Sequence, residues 1–362
     1  MSGGGEVLRI SGLKVTFHTY AGEVKALDGV EITVRRGELL GLVGESGCGK
    51  SVTTLAVAGL LPQNAEVEGG SIVLDGRELL GMDREELRRA RLRDIAIVFQ
   101  DPMTYLNPVL TVGSQLTEIF EAEPSEFLAE MASKRLRALE NDEGGKEEKE
   151  RLARAVREGR LGRREFRRLA KEYAISILGS VRLPEPEKVF RMYPFELSGG
   201  MRQRVMIAMA LARRPKLILA DEVTTALDVT VQAQILQLLR DLKEELDTSV
   251  LLITHDLAVV AEVCDRVAVM YAGNVVEVAE VGELFENPLH PYTKGLLASV
   301  PRVDEVREQR SIEGSVPDLI SPPPGCRFHP RCPYAMERCR QAKPELVDVG
   351  KGHLVSCFLY GE

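Results

Sequence analysis

The sequence has no apolar run approaching the ~20 residues that span a bilayer, and its richest stretches, such as Val205 to Ala212, are broken at once by Arg and Pro. The chain is therefore not itself a membrane channel. It also lacks an excess of basic residues. Lys and Arg number 47 against 55 Asp and Glu, a formal charge of -8, which argues against a general nucleic-acid binder and leaves only a local basic patch open. The opening residues, MSGGGEVLRI, lack the basic and apolar regions of a signal peptide, so the protein is expected to remain in the cytoplasm. Tryptophan is absent, and there is no internal repeat. What is present is ordinary for a globular protein: 362 residues, 44% hydrophobic and 28% charged. These values exclude collagen-like and wholly disordered chains and allow about two domains.

From Val7 to about Arg36 apolar and polar residues alternate around Gly-containing breaks, as in LRISGLKVTFHT and VKALDGVEITV. This pattern predicts strands of a small antiparallel sheet. Glu38 to Val43 is an apolar run entering a Gly-rich loop, and Lys50 to Leu61 then takes helical spacing until Pro62. Phe120 to Tyr173 carries few large apolar residues and many charges of both signs. Glu147/Arg151 and Glu150/Arg154 stand at i,i+4 spacing, so we read helices with a solvated face around a break at Gly144-Gly145. Arg202 to Arg213 reads as a helix, Leu217 to Ala220 as a buried strand, Val229 to Leu246 as a helix and Val250 to Thr254 as another strand. Strands alternating with helices predict a mostly parallel sheet covered on both faces. Beyond Pro288 the chain turns Pro-rich, notably at Ser321-Pro322-Pro323-Pro324, and this sets apart a small tail.

The strongest chemical signal is Gly44-Glu45-Ser46-Gly47-Cys48-Gly49-Lys50-Ser51, which fits G-x-x-x-x-G-K-[ST] between a strand and a helix. Glycines let the backbone wrap closely around phosphates, and N–H groups at the helix start point at the anion. Lys50 is expected to reach the β- and γ-phosphates and Ser51 to hold Mg²⁺. Leu217-Ile218-Leu219-Ala220-Asp221-Glu222 is an apolar strand ending in two carboxylates. Asp221 suits the Mg²⁺ shell, and Glu222 the polarisation of an attacking water. His255, after a second buried strand, is placed to hydrogen-bond a γ-phosphate, and Gln100, ending Ile95 to Phe99, to reach Mg²⁺ or water. Leu197-Ser198-Gly199-Gly200-Met201-Arg202-Gln203-Arg204 opens a helix with Ser and two Gly, a second anion-binding N-terminus. One nucleotide needs one cradle, so a second suggests that ATP is clamped between two subunits.

Taken together, the phosphate loop, Gln100, LSGGMRQR, ADEVTTALD and His255 resemble the ATP-binding subunit of an ABC transporter over nearly the whole chain. More narrowly, GESGCGKSVT, FQDPMTYLNPVLTVG, the His290-Pro291-Tyr292-Thr293 segment and a cysteine-rich tail look like the oligopeptide/dipeptide uptake branch. The resemblance implies an α/β ABC-type P-loop ATPase fold, with a RecA-like parallel sheet core, an antiparallel β subdomain and a helical subdomain at about 103–196. These fall within residues 1–285, the charged stretch at about 120–173 being an insertion longer than the family norm, and a cysteine-rich module occupies 286–362. By the same resemblance, ATP lies against Gly44, Glu45, Ser46, Gly47, Cys48, Gly49, Lys50, Ser51 and Val52. Ser51, Gln100 and Asp221 hold Mg²⁺, and Glu222 is the catalytic carboxylate, assisted by His255 and Gln100. Ser198, Gly199, Gly200, Met201 and Gln203 cap the partner's ATP, and Ala226, Leu227 and Asp228 form the loop coupling the two sites. Tyr20 lies where the family places an aromatic on adenine, with Phe17 and His18 as close competitors. Val223 departs from the family, which has Pro after the catalytic Glu; this removes a rigid turn but no reacting group.

The implied partners are a second homologous ATP-binding subunit, with a heterodimer expected, two membrane permeases, and through them an extracellular solute-binding protein; nucleic acid is not a partner. The place of action is the cytoplasmic face of the membrane, as a peripheral protein. The loop from Gln100 to Val112, through Met103-Thr104-Tyr105-Leu106-Asn107, is expected to receive a permease helix. The sequence does not itself name the cargo: peptide is the expectation that the resemblance implies, with sugars or nickel moved by close relatives.

Of the six cysteines, Cys48 and Cys264 stand alone and read as small buried residues, whereas Cys326-x5-Cys332-x6-Cys339-x17-Cys357 crowd the tail. Clustered thiols in a reducing compartment suggest a metal site before disulfides. Four thiolates are able to hold Zn²⁺ or an iron-sulfur cluster. The spacing lacks the paired C-x2-C of structural zinc, and the resemblance implies a [4Fe-4S] cluster. Two other functions compete: a soluble ABC-type ATPase in DNA repair or translation, and a redox-sensing binding protein in which the cluster is primary. The former usually carries long coiled coils, zinc hooks or two cassettes in one chain, none of which is present here.

Overall fold

Among the described residues, twelve strands order the protein: β1 (Glu6–Thr19), β2 (Gly22–Arg35), β3 (Leu39–Val43), β4 (Ala65–Leu74), β5 (Arg77–Glu78), β6 (Ile95–Val98), β7 (Leu217–Asp221), β8 (Ser249–Thr254), β9 (Arg266–Tyr271), β10 (Asn274–Glu280), β11 (Val347–Asp348) and β12 (Leu354–Val355). The computed structural model describes residues 5–122, 131–132, 135–136, 150, 152–154, 162–223, 228–299 and 312–361. The chain divides into two compact units: Met1–Ile97 with Lys216–Glu222 and Leu236–Glu362, and Val98–Pro215 with Val223–Ile235.

In the first unit the alternating N-terminal sequence forms a four-stranded sheet in the order β2-β1-β4-β5, with β1 antiparallel to both neighbours. The pairing slips between Ile10 and Leu13, where Gly12 takes a positive φ of 62°, a conformation glycine adopts without steric cost. Leu8, Ile10, Val15, Val30 and Ile32 turn inward and join Leu40 and Leu42 of the second sheet in one core. That sheet runs β11-β12-β10-β9-β3-β8-β7-β6. Its centre is parallel, as the β–α alternation predicts: β3 pairs with β8 and β9, and β7 with β8. One side differs, because β10 runs antiparallel to β9 and to β12. The sheet is therefore mixed, and residues of the Pro-rich tail extend it.

The helix after the phosphate loop, Lys50–Val57, stops short of the expected Leu61. Gly59 turns left-handed at φ 60° with Leu87 packed where a Cβ would stand, the usual way a glycine ends a helix.

In the second unit, helices Val112–Glu121, Arg163–Ser180 and Gly199–Leu211 carry the structure. The helix Arg163–Ser180 falls mostly in the stretch expected to be solvated, yet Leu169, Ala170, Tyr173, Ala174 and Ile177 line one buried face of it. Its many Arg and Lys hide an apolar stripe at helical spacing. The break at Gly144-Gly145 and the Glu147/Arg151 pair lie outside the described residues. Among the described residues no helix is long and apolar enough to cross a membrane.

The tail is tied to the main sheet through polar groups. The Glu277 carboxylate on β10 is fully buried. It accepts the Leu289 and His290 N–H groups at 2.7 and 2.9 Å, and His353 Nε2 lies 2.7 Å away. The Ser356 N–H donates to the Val276 carbonyl at 2.9 Å.

Candidate functional site

The phosphate loop leaves β3 at Gly44, whose φ is 157° and where a Cβ would stand 2.1 Å from the Met270 carbonyl oxygen. No other residue fits there. Gly49 is similarly constrained, with φ 106° and the Leu27 Cδ2 atom 2.7 Å from a built Cβ. Lys50 is buried, and its Nζ donates to the Gly44 and Glu45 carbonyls at 2.7 and 3.0 Å. An ammonium group held by carbonyl dipoles and a thiol, with no carboxylate in those contacts, is available to a polyanion. Ser46, Gly47 and Ser51 are exposed. Val52 turns its side chain to the core, and Cys48 is buried with its Sγ 3.7 Å from Lys50 Nζ.

Across from the loop, β7 ends in Asp221 and Glu222. Burial pushes the Asp221 carboxyl above its ordinary range, a hydrogen bond from Ser51 opposes this, and the neighbouring Glu222 charge adds to the rise. Ser51 and Asp221 thus touch across the two strand ends. Glu222 stands in a left-handed conformation, φ 47°, which is strained for a side-chain-bearing residue. Its N–H is fixed by the Ile253 carbonyl of β8 at 3.0 Å, and its Oε1 lies 3.1 Å from His255 Nδ1. Lys50, Ser51, Asp221, Glu222 and His255 are therefore gathered at the C-terminal ends of the adjacent parallel strands β3, β8 and β7, where such sheets take their ligands. Tyr20, at the turn between β1 and β2, is wholly exposed. Of its two competitors, Phe17 packs on the core and His18 contacts Glu66 at 2.9 Å.

The second unit holds the remaining residues. Gln100, Ser198 and Gly199 are exposed. Ser198 caps its own helix, its Oγ accepting the Met201 N–H at 3.3 Å. Gly200 packs against Val231, where a Cβ would stand 2.7 Å from Cγ1. Gln203 departs from the expectation that it faces a partner's nucleotide, because it is buried on the same helical face as Ile207 and Leu211, at i, i+4 and i+8. Asp228 accepts the Val231 N–H at 2.9 Å at the start of the helix Val229–Leu246. Ala226 and Leu227 lie outside the described residues. Val223 is buried.

In the tail, Cys326, Cys332, Cys339 and Cys357 line one cavity together with Phe328, Met336 and Phe358. Burial pushes the Cys326 thiol up to about 11, and the other three cysteines add to the effect. Among the described residues, no three His, Cys, Asp or Glu side chains converge closely enough to hold one metal ion. The thiols ring a space and do not meet at a point.

Sequence reasoning missed Arg331. The guanidinium donates to both oxygens of Glu45, at 2.8 and 3.2 Å, bridging the tail and the phosphate loop. No periodicity marks it, and its place directly before Cys332 was the only available signal.

The ABC transporter family profile matches residues 27–225, and the profile for the oligopeptide/dipeptide transporter C-terminal region matches 276–339. The oligopeptide transport ATP-binding protein OppD of Salmonella typhimurium is 46% identical over 353 residues, covering 97% of this chain and 93% of that protein. The dipeptide transport ATP-binding protein DppD of Bacillus subtilis is 44% identical, covering 98% and 95%. Among solved structures, the dimeric ATP-binding cassette MJ0796 bound to ADP and Pi superposes with a TM-score of 0.57 at 26% identity, covering 76% of this chain and 98% of that one.

Proposed function

This chain belongs to the ABC transporter family, and from that membership we propose that it is the ATP-hydrolysing subunit of an importer of di- and oligopeptides. The observation carrying the reading is the gathering of Lys50, Ser51, Asp221, Glu222 and His255 at adjacent strand ends. Relatives along nearly the whole chain are peptide-transport subunits, which favours import over a soluble ATPase of DNA repair or translation. On this reading residues 1–285 are the nucleotide-binding domain, with the helical subdomain at about 103–196, and 286–362 are the C-terminal region.

Lys50 exchanges the Gly44 and Glu45 carbonyls for the β- and γ-phosphates. Ser51 and Asp221 hold Mg²⁺, with Gln100 completing the set; the bound ion neutralises charge on the phosphates. Glu222 polarises the attacking water, and His255 orients Glu222 and meets the γ-phosphate. Tyr20 stacks on adenine. Ser198, Gly199, Gly200 and Met201 cap the nucleotide of a second, homologous subunit, heterodimeric with this one, and the Ala226 to Asp228 loop couples the two sites. Met103 and Tyr105, each about half exposed, receive a permease helix. The complex sits on the cytoplasmic face of the membrane with two permeases and draws on an extracellular solute-binding protein.

We assign a [4Fe-4S] cluster to Cys326, Cys332, Cys339 and Cys357. Thiols ringing a cavity suit a cluster better than one Zn²⁺, whose bonds of about 2.3 Å need sulfurs converging on a point. When bound, the cluster supplies iron-thiolate crosslinks, a structural role in the tail.

Reconstitution with both permeases and the binding protein in vesicles tests the function: peptide should stimulate ATP hydrolysis and labelled peptide should accumulate. Uptake of a sugar or nickel instead would move the cargo assignment, and co-purification with ribosomes or DNA would overturn transport. Because the cap at Ser198 acts in trans, the isolated chain should hydrolyse ATP on the order of 10²-fold more slowly than the complex, as when transition-state donors are removed. A strictly monomeric preparation matching the complex would refute the two-subunit clamp.

A further inference from the structure

We propose that Arg331 is a positioning residue for the phosphate loop, neutralising and clamping Glu45 so that nucleotide affinity depends on the C-terminal segment. The proposal rests on reading Gly44 to Ser51 as the phosphate cradle. Within that loop, Glu45 is out of place electrostatically, since a carboxylate beside a polyphosphate repels it. Arg331 answers the charge from 286 positions away. Its side chain is 6% exposed, and the rest of the fork is spent on holding the guanidinium still: Nε donates to the Glu313 carbonyl at 2.9 Å and Nη2 to that of Ile312 at 3.2 Å. Such a bidentate pair fixes direction as well as charge.

The rest of Glu45 is held as well. Its N–H donates to the Tyr292 hydroxyl at 3.0 Å, and its carbonyl accepts from Lys50. Tyr292 packs on Tyr271 at 4.6 Å, and Phe328, three residues before Arg331, meets Tyr271 edge-on at 5.0 Å. Two groups from beyond Pro288 thus grip the base of the loop, while Ser46 and Gly47 at its crown stay exposed. Misplacing a site by on the order of 1 Å is able to cost 10²-fold, and loss of Arg331 both frees the loop base and leaves Glu45 charged.

The test measures binding of a non-hydrolysable ATP analogue with Mg²⁺ to the full chain. Arg331→Ala should raise the Kd roughly tenfold, and Arg331→Lys, which keeps the charge but not the fork, should fall between. Adding Glu45→Gln to Arg331→Ala should recover most of the loss, because the unpaired charge is gone; a purely structural Arg331 predicts no recovery. Unchanged affinity in Arg331→Ala, or no recovery in the double variant, overturns the proposal. Should Arg331→Ala not fold, the wild-type chain still decides: by reciprocity of coupling, the analogue should slow amide hydrogen exchange at Phe328 to Cys332, and indifference there overturns the clamp. Lys50→Ala separates the two readings: lost binding in Lys50→Ala with wild-type binding in Arg331→Ala keeps the cradle and refutes the clamp, whereas undiminished binding in both refutes both.

Discussion

Replacing Glu222 with Gln should leave Mg²⁺-ATP binding intact and lower hydrolysis by roughly 10²–10⁴-fold, the span typical of a lost general base. The structure gives each half of this expectation its own residues. Binding is assigned to Lys50, Ser51 and Asp221; of these Asp221 feels the Glu222 charge, which pushes its carboxyl up, so removing that charge favours the Asp221 carboxylate. Glu222 itself is held by its backbone, through the Ile253 carbonyl at 3.0 Å, so an amide of the same shape keeps the turn and a contact to His255. What the amide cannot do is polarise water. Lys50→Ala should behave in the opposite way, weakening nucleotide affinity itself, because the ammonium is poised on the loop carbonyls. Equilibrium nucleotide binding and phosphate release, measured in the assembled complex, distinguish the two variants. Wild-type turnover in Glu222→Gln would remove Glu222 from the chemistry.

The division between what could be read in advance and what could not follows sequence distance. A phosphate cradle is built from eight consecutive residues, and its glycines are forced by close contacts such as Gly44 against Met270; chemistry and local geometry coincide, so the motif was legible. The strand ends at Asp221 and Thr254 were legible because parallel strands bury continuous apolar runs. The burial of Gln203 was not legible, because a motif names residues without naming the face they occupy. The strands β11 and β12 are two residues each, too short for any periodicity, and so the tail was not expected to extend the sheet. The Arg331 to Glu45 pair joins positions 286 apart and leaves no local trace. Helix Arg163–Ser180 stands between these cases, since its buried stripe was present in the sequence but diluted by charge.

Those short strands also sharpen what loss of the proposed cluster should do. Between residues 312 and 346 the regular structure is one turn at His329–Arg331 and the five-residue helix Glu337–Gln341, far below the ~12–15 residues at which an isolated helix becomes even marginal. The segment is held by close contacts between cysteine-bearing turns: the Cys326 N–H donates to the Cys339 carbonyl at 2.8 Å, and Gly325 has no room for a Cβ against that same carbonyl, at 2.5 Å. Crosslinking four such turns is worth what a disulfide is worth to a small module, about 2–5 kcal/mol. Full-length protein purified without oxygen should therefore be brown, with about four irons per chain. Cys339→Ser should bleach it and open the chain to protease beyond Pro322. Cleavage should concentrate before Pro344, because β12 remains paired to β10, β11 to β12, and His353 fastens the hairpin at Glu277. Colourless protein with one zinc would overturn the cluster and keep the crosslink, and fully alkylatable thiols in folded, metal-free protein would overturn both.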